Sequence, residues 1–260
     1  MNEPSHCFVV PAYGRSPHLR ECLESLQRQT RSSTVVVCSS TPYEGLRELV
    51  EAFGARLHVH SPNRGIGHDW NAALSQARAS WVTIAHQDDV YLPRFTERTL
   101  AMAAEASDAS ILFTGYAELL HARQRIHTPM LWIKRLLLEA GFLGRAFAGS
   151  ACARRRSLRF GCPIPCPSVT INLARTGLRF REDLKVNLDW DAWLRLADGP
   201  GAFGYCREAL MLHRIHPDSE TVAGVRDGIR AREDRMMFDR LWPRHPAAAL
   251  TRLYALSYRG

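Results

Sequence analysis

Apolar residues along this chain fall into two rhythms. Residues 7–10 (Cys-Phe-Val-Val), 34–38 (Thr-Val-Val-Val-Cys) and 81–85 (Trp-Val-Thr-Ile-Ala) are apolar at nearly every position, the pattern of strands buried on both faces. Between the first two, Leu19, Cys22, Leu23 and Leu26 recur at i, i+3, i+4 and i+7, which predicts a helix with one face on a sheet. The first strand is expected to stop at Pro11, with Ser16 and Pro17 as N-cap and first residue of the helix. The rhythm continues with a helix over 46–53, a strand over 56–60, helices over 68–78 and 95–106, and a strand over 111–116. Strands separated by helices of this length imply right-handed crossovers and a mainly parallel sheet, hence an α/β fold.

Beyond Tyr116 the alternation loosens. Residues 130–147 read as an apolar, weakly amphipathic helix suited to lining an acceptor pocket, burying in a core or touching a membrane surface, with core burial the default. Pro163, Pro165 and Pro167 mark a stiff connection to a short strand over 168–171. A helix is expected to start at Asp189, a strand to cover 205–216, and a polar-faced helix to cover 225–241.

At 260 residues, 46% of them hydrophobic and 23% charged, the chain has the size and composition of an ordinary globular α/β protein. No apolar run approaches the ~20 residues that span a bilayer, and the first six residues lack the features of a signal peptide. Seven scattered cysteines without a paired metal spacing predict a reduced, cytoplasmic protein. The formal net charge of +8 points to an anionic partner, and its densest source is Arg154, Arg155 and Arg156 with Arg159. No aromatic residues interleave with these arginines, so nucleic acid is not an expected partner. The cluster reads first as a solvated loop and second as a peripheral contact with anionic lipid.

The segment Trp81-Val-Thr-Ile-Ala-His-Gln-Asp-Asp-Val-Tyr-Leu-Pro93 carries the most chemistry. It puts Asp88 and Asp89 at the carboxyl end of a strand, where open α/β sheets bind ligands. Adjacent carboxylates repel unless a cation offsets them, and a divalent metal carrying phosphate oxygens does so. A solvated Asp-Asp turn is the alternative for these residues in isolation.

Four further segments accompany it in order: Phe8-Val-Val-Pro-Ala-Tyr-Gly-Arg15, Asn63-Arg-Gly-Ile-Gly67 with Asn71, Leu188-Asp-Trp-Asp-Ala-Trp-Leu-Arg195, and Arg214-Ile-His-Pro-Asp-Ser219. This ordered set resembles glycosyltransferase family 2, inverting sugar-nucleotide enzymes of the GT-A fold. The resemblance implies a Rossmann-like, mainly parallel sheet flanked by helices, with a C-terminal helical portion on the acceptor side. It implies one domain over residues 1–220, with a donor half to about 117, an acceptor half over 118–220, and a helical tail over 221–260. Its expected partners are a nucleotide-sugar donor and a glycan or lipid-linked acceptor, in surface polysaccharide or glycolipid assembly; its cofactor is Mn2+ or Mg2+.

Carried onto this chain, the resemblance assigns donor contacts to Pro11, Ala12, Tyr13, Arg15, Ser39, Gly65, Asn71, His86, Gln87 and Asp88. Metal contacts fall to Asp88 and His216, and Asp89, Arg214 and Trp190 are further candidate site residues without an assigned role. Tyr13 contacts the base or is a turn tyrosine with its ring on the core. The family carries carboxylates at the end of the second strand, where this chain has Ser39 and Ser40, so base selectivity is expected to be modest. His86 stands where the family's acidic segment has its first aspartate. Helical phase places Asp189 at the edge of an apolar face formed by Trp190, Trp193, Leu194, Leu196 and Ala197, with Asp191 pointing outward. That edge is where the family places its general base, so the resemblance assigns the base to Asp189, and an N-capping role competes with or joins that assignment. Arg214 and His216 share one side of an extended segment. A non-catalytic nucleotide-sugar-binding protein is the alternative function. A nucleotidyltransferase is less favoured, because Pro11-Ala-Tyr-Gly-Arg15 holds only one glycine.

Overall fold

A computed structural model describes residues 5–121, 123–217 and 224–256. The N-terminal half alternates as its apolar rhythm demands: β1 (His6–Ala12), α1 (Leu19–Gln27), β2 (Thr34–Ser39), α2 (Leu46–Ala52), β3 (Arg56–Val59), α3 (Ile66–Ser75) and β4 (Trp81–Ile84). The short β5 (Val90–Tyr91), α4 (Phe95–Glu105), β6 (Ile111–Leu120) and β7 (Arg123–Arg125) follow. The remainder comprises α5 (Pro129–Phe142), β8 (Phe147–Ala148), α6 (Ala151–Leu158), β9 (Val169–Asn172), α7 (Leu173–Thr176), α8 (Leu188–Asp198), β10 (Phe203–Arg214), α9 (Ile229–Leu241) and α10 (Arg244–Leu256).

One sheet runs β3-β2-β1-β4-β9-β6-β10-β5, with β7 beside β6 and β8 beside β10. The strands β3, β2, β1 and β4 are parallel, as are β6 and β10; β9 lies antiparallel between β4 and β6. The period of two in a strand divides β1 between two cores. Cys7 and Val9 face Trp70, Trp190 and Trp193, while Phe8 and Val10 face Leu19, Leu23, Leu46 and Phe95.

Several predicted boundaries move for identifiable reasons. β1 continues through Pro11, which pairs with Cys38, because β4 leaves β1 after Val9 and no ladder donor is needed on that side. The first helix starts at Leu19; Ser16 instead accepts a hydrogen bond from His18 N–H in the preceding turn (3.2 Å). The predicted 130–147 helix stops at Phe142, where Leu143 adopts a left-handed C-cap. The arginine cluster read as a loop is helix α6. Arg154 within it is buried and donates to the carbonyls of Ala197, Gly149 and Gly199 at 2.6–3.1 Å, and to Gly201, so it fastens the end of α8. Of the final motif, Asp218 and Ser219 lie outside the described residues. Among the described residues no helix is long and apolar enough to cross a membrane.

The β10–β6 pair is irregular. β10 uses Cys206 to Met211 where β6 advances only from Thr114 to Tyr116. Gly115 permits this, because a Cβ there would lie 2.8 Å from the Arg207 carbonyl. The bulged strand delivers His213 and Arg214 to the sheet's end.

His6, at the start of β1, is buried and shares hydrogen bonds with Ser33 Oγ and Thr83 Oγ1 (2.9 Å each). Burial lowers its imidazole from 6.5 to about 3. Neutral His6 therefore contributes its full stabilisation above pH 6.5 and loses it as pH falls toward about 3, because the unfolded chain takes up the proton first. Unfolding followed against pH is expected to show a slope of about 1.4 kcal/mol per pH unit from this site below pH 6.5. His6→Gln should flatten that limb; identical acid limbs in both proteins would remove His6 as its source.

Candidate active site

The carboxyl ends of β1, β4 and β10 open into a cleft of about 940 Å3, within the size range of small-molecule sites. Its walls carry Tyr13, Asp69, His86, Asp88, Asp189 and His216.

At the centre, Asp88 and Asp89 separate in role. Asp89 has no solvent exposure, accepts from Arg214 N–H through Oδ1 (2.8 Å), and meets His213 Nδ1 at 3.1 Å. A buried carboxylate requires such partners, and Asp89 thereby pins the β4 end to the β10 end. Burial alone would lower the His213 imidazole, but Asp89 outweighs it and raises it. Arg214 completes the clasp, donating through Nε to the Asp88 carbonyl (2.7 Å) and through Nη2 to Glu21 (2.5 Å). Asp88 faces the cleft with Oδ2 2.7 Å from His216 Nε2. Burial would raise its carboxyl, yet the His86, His216 and His213 imidazoles hold it below the usual carboxylate range.

The donor set suits a divalent cation. Ligating atoms of His86, Asp88 and Asp89 lie within 4.8 Å of one another, and His86 Nε2 is buried without a hydrogen-bond partner. Mixed imidazole and carboxylate donors fit manganese better than magnesium.

The opposite wall is the start of α8. The loop leading into it is held by Glu233 of α9, which accepts from the N–H groups of Lys185, Val186 and Asn187 at 2.8–2.9 Å. Asn187 holds the N-cap position, and Asp189 sits in the first turn, half-buried, where it accepts from its neighbour Trp190 N–H (2.7 Å). The N-cap account of Asp189 is thereby overturned. Burial pushes the Asp189 carboxyl above its ordinary value, against the Trp190 N–H and the nearby charges of Arg230, His86 and Lys134.

Helical phase misplaced Asp191. It is 1% exposed, because α9 covers the side of α8 assigned to solvent. Arg195 Nε (2.8 Å) and Arg240 Nη1 (2.7 Å) converge on its carboxylate, with Arg181 at 3.8 Å.

Other expected donor residues divide between cleft and scaffold. Tyr13 is 60% exposed, which removes the core-packed alternative for its ring. Gln87 spans two loops, accepting from Tyr13 N–H (3.2 Å) and donating to the Tyr13 carbonyl (3.1 Å), so its amide positions Tyr13. Pro11 and Gly65 line the cleft, Gly65 at a positive φ of 100° where a side chain would be strained. Ala12 is buried, and Arg15 lies over the Tyr43 ring. Ser39 is buried and accepts from Thr41 N–H. Asn71 is tied to the backbone of Phe180 through both amide atoms (2.8 and 2.9 Å), which makes it a loop anchor. Trp190 is fully buried, its indole donating to the Leu158 carbonyl and its ring packed on Phe238.

A carboxylate does occupy the end of β2, supplied from elsewhere in the chain. Asp69 of α3 lines the cleft and accepts through Oδ2 from Ser40 Oγ (2.8 Å) and Asn63 Nδ2 (3.3 Å). Its Oδ1 is buried without a hydrogen-bond partner. Asp69 lies six residues after Asn63 in the quoted motif, and the only sequence signal for it was a charge on an otherwise apolar helix face.

The family model described as Glycosyl transferase family 2 matches residues 7–159. Among curated proteins, the chain is 29% identical to "Uncharacterized glycosyltransferase EpsJ" of Bacillus subtilis over 142 residues, covering 52% of this chain and 41% of that protein. It is 29% identical to "Glycosyltransferase GlyG" of Streptococcus pneumoniae over 116 residues, 42% of this chain and 38% of the relative. The chain thus spans about four-tenths of the length of these relatives. Among solved structures, mannosyltransferase PcManGT of Pyrobaculum calidifontis, in complex with GDP-Man and Mn2+, superposes with a TM-score of 0.66 at 15% identity over 98% of this chain and 70% of that one. S. aureus TarS 1–349 in complex with UDP gives 0.63 at 17% identity, over 93% and 71%. These neighbours carry the GT-A fold.

Asp191 and Asp189 should separate in a melting experiment. Asp191→Asn strips a buried acceptor from two guanidinium groups that are themselves partly solvated, for an expected loss of about 1–3 kcal/mol. That corresponds to a Tm drop of several degrees, at roughly 2–4 °C per kcal/mol. Asp189→Asn, which keeps an acceptor for the Trp190 N–H, should melt close to wild type. Equal melting of all three proteins would contradict the anchoring assigned to Asp191.

Proposed function

The chain belongs to glycosyltransferase family 2, and from that premise we propose that it transfers a sugar with inversion from a nucleoside-diphosphate sugar to a hydroxyl acceptor, with divalent-metal assistance, in surface polysaccharide or glycolipid assembly. The observation that carries this reading is one cleft that holds two carboxylates in opposed surroundings, Asp88 against the His216 imidazole at 2.7 Å and Asp189 half-buried at the facing wall. Asp189 is raised by burial while Asp88 is lowered by its imidazoles. Environments that push two carboxyl groups apart equip one for proton transfer and the other for permanent charge.

Asp189 takes the proton of the acceptor hydroxyl as that oxygen attacks the anomeric carbon, which is general base catalysis. A raised carboxyl binds that proton more firmly than an ordinary aspartate does. One base suffices for a single displacement, and Asp189 needs no second carboxylate as nucleophile. Asp88, with His216 and His86, would hold a divalent cation, which when bound would supply Lewis-acid charge to the departing diphosphate. Asp89 and Arg214 fix these groups, and the Gln87 pairing holds Tyr13 at the cleft mouth as a platform for the base.

Asp69 supports a more selective base site than Ser39 and Ser40 implied. The Asp69 Oδ1, which has His60 Nε2 at 3.9 Å and no hydrogen bond, accepts only, so it favours a base presenting a ring N–H. Uracil and guanine present one; cytosine and adenine place a lone pair there. The two structural neighbours described above bind UDP and GDP-Man, one of each favoured kind.

Sugar transfer from UDP- and GDP-linked donors, with product anomers assigned by NMR, tests the reaction. Asp189→Asn is expected to lose ~10²–10⁴-fold in turnover with donor affinity nearly intact, and chelation to abolish transfer by wild type. An active Asp189→Asn enzyme removes the base assignment, and full transfer without metal removes the cation from Asp88.

Calorimetry addresses the base site separately. Asp69→Asn should weaken UDP and GDP binding by about 10–100-fold while leaving the weaker binding of CDP and ADP unchanged. Unaltered UDP and GDP affinities would dismiss Asp69 as the base-reading group.

A further inference from the structure

Helix α5 does not bury its apolar stripe. Leu131, Leu138 and Phe142 turn inward, but Trp132 is 57% exposed, Ile133 51%, Leu136 72% and Leu143 69%. Spaced at i, i+1, i+4 and i+11, these four side chains share one side of the helix and its C-cap. Scattered exposed apolar residues need no explanation, whereas a contiguous row of large ones marks an interaction surface.

The charges around this row select the partner. Exposed Arg123 and Arg125 of β7 precede the helix, and exposed Arg145 follows it. The one acidic residue of α5, Glu139, is neutralised by Arg207 at 2.6 and 2.9 Å. An apolar row headed by a tryptophan and bracketed by arginines matches the headgroup region of an anionic bilayer, where acyl chains take the row and lipid phosphates take the cations.

We propose that α5 is a membrane-docking helix lying in the plane of an anionic lipid surface, with Trp132, Ile133, Leu136 and Leu143 inserted between headgroups. The same helix turns Met130 and Lys134 into the catalytic cleft. Docking through its outer side therefore sets the cleft beside the lipid surface, in reach of an acceptor held there. The acceptor part of this inference rests on the glycosyltransferase reading; the docking itself does not.

Flotation with phosphatidylcholine vesicles, with and without phosphatidylglycerol, tests docking on the whole chain without donor or acceptor. The protein is expected to float with phosphatidylglycerol-containing vesicles, to be released by salt, and to show a blue-shifted emission from Trp132. Leu136→Glu and Leu143→Glu alter exposed positions outside the cleft, so melting and donor hydrolysis should match wild type. Their vesicle partitioning should fall ~10-fold or more, since each replaces a buried apolar side chain by a charge next to anionic lipid. Absence of flotation overturns the proposal, as does unchanged flotation of both variants. A micromolar dimer that Leu136→Glu dissociates, without vesicle binding, would assign this face to a second copy of the chain instead. Loss of sugar transfer with flotation intact would count against the activity and leave the docking standing.

Discussion

A carboxylate with no water must be held by the protein, and the fully buried Asp89 decides the geometry of this site. It draws the Arg214 backbone and the His213 ring to the end of β4. β4 and β10 are separated in the sheet by β9 and β6, and the chain beyond Asp89 reaches β10 through the two-residue β5, where Val90 meets Leu212 and Tyr91 meets Met211. The Asp89 clasp adds side-chain bonds to that short ladder, and Asp88 on one side of it meets His216 on the other. Without the clasp, the central acidic pair would be two like charges on a loop. With it, one charge is spent on architecture and the other is presented to the cleft.

The facing wall follows a parallel logic. The loop that leads into α8 is fastened by Glu233, which accepts from three of its N–H groups from a helix more than forty residues downstream. The tail thus supports one wall of the cleft. Arg240 of the same helix reaches Asp191, so α9 holds α8 through carboxylates in both directions. Asp189 is left over from these obligations, set in the cleft with a carboxyl that burial has made more basic.

What the sequence disclosed was whatever repeats locally. The strands at 34–38 and 56–60 and the α1 face emerged from apolar spacing, because each is a short-range consequence of burying one side. The Asp88–His216 meeting was legible only through motif order, since 128 residues separate the partners. Residues whose roles depend on a third element were misread. Asp191 seemed solvent-facing until α9 covered it, Arg154 seemed a loop charge until four carbonyls surrounded it, and Asn71 seemed a ligand contact until the Phe180 backbone claimed its amide. The Asp69 carboxylate escaped because position along the chain does not reveal that α3 projects to the end of β2.

The bulged pairing of β10 with β6 has a consequence of its own. Between Cys206 and Met211, β10 gains an odd number of residues over β6. Paired residues show their side chains to the same face, so the bulge absorbs the odd count before Met211 meets Tyr116 and His213 meets Glu118. Gly115 is the empty space that lets the extra backbone fold away. His213 stands opposite Asp89 because the surplus residues are taken up before the ladder resumes. The site therefore depends on how many residues the chain places between two strand positions, a property that belongs to no single side chain.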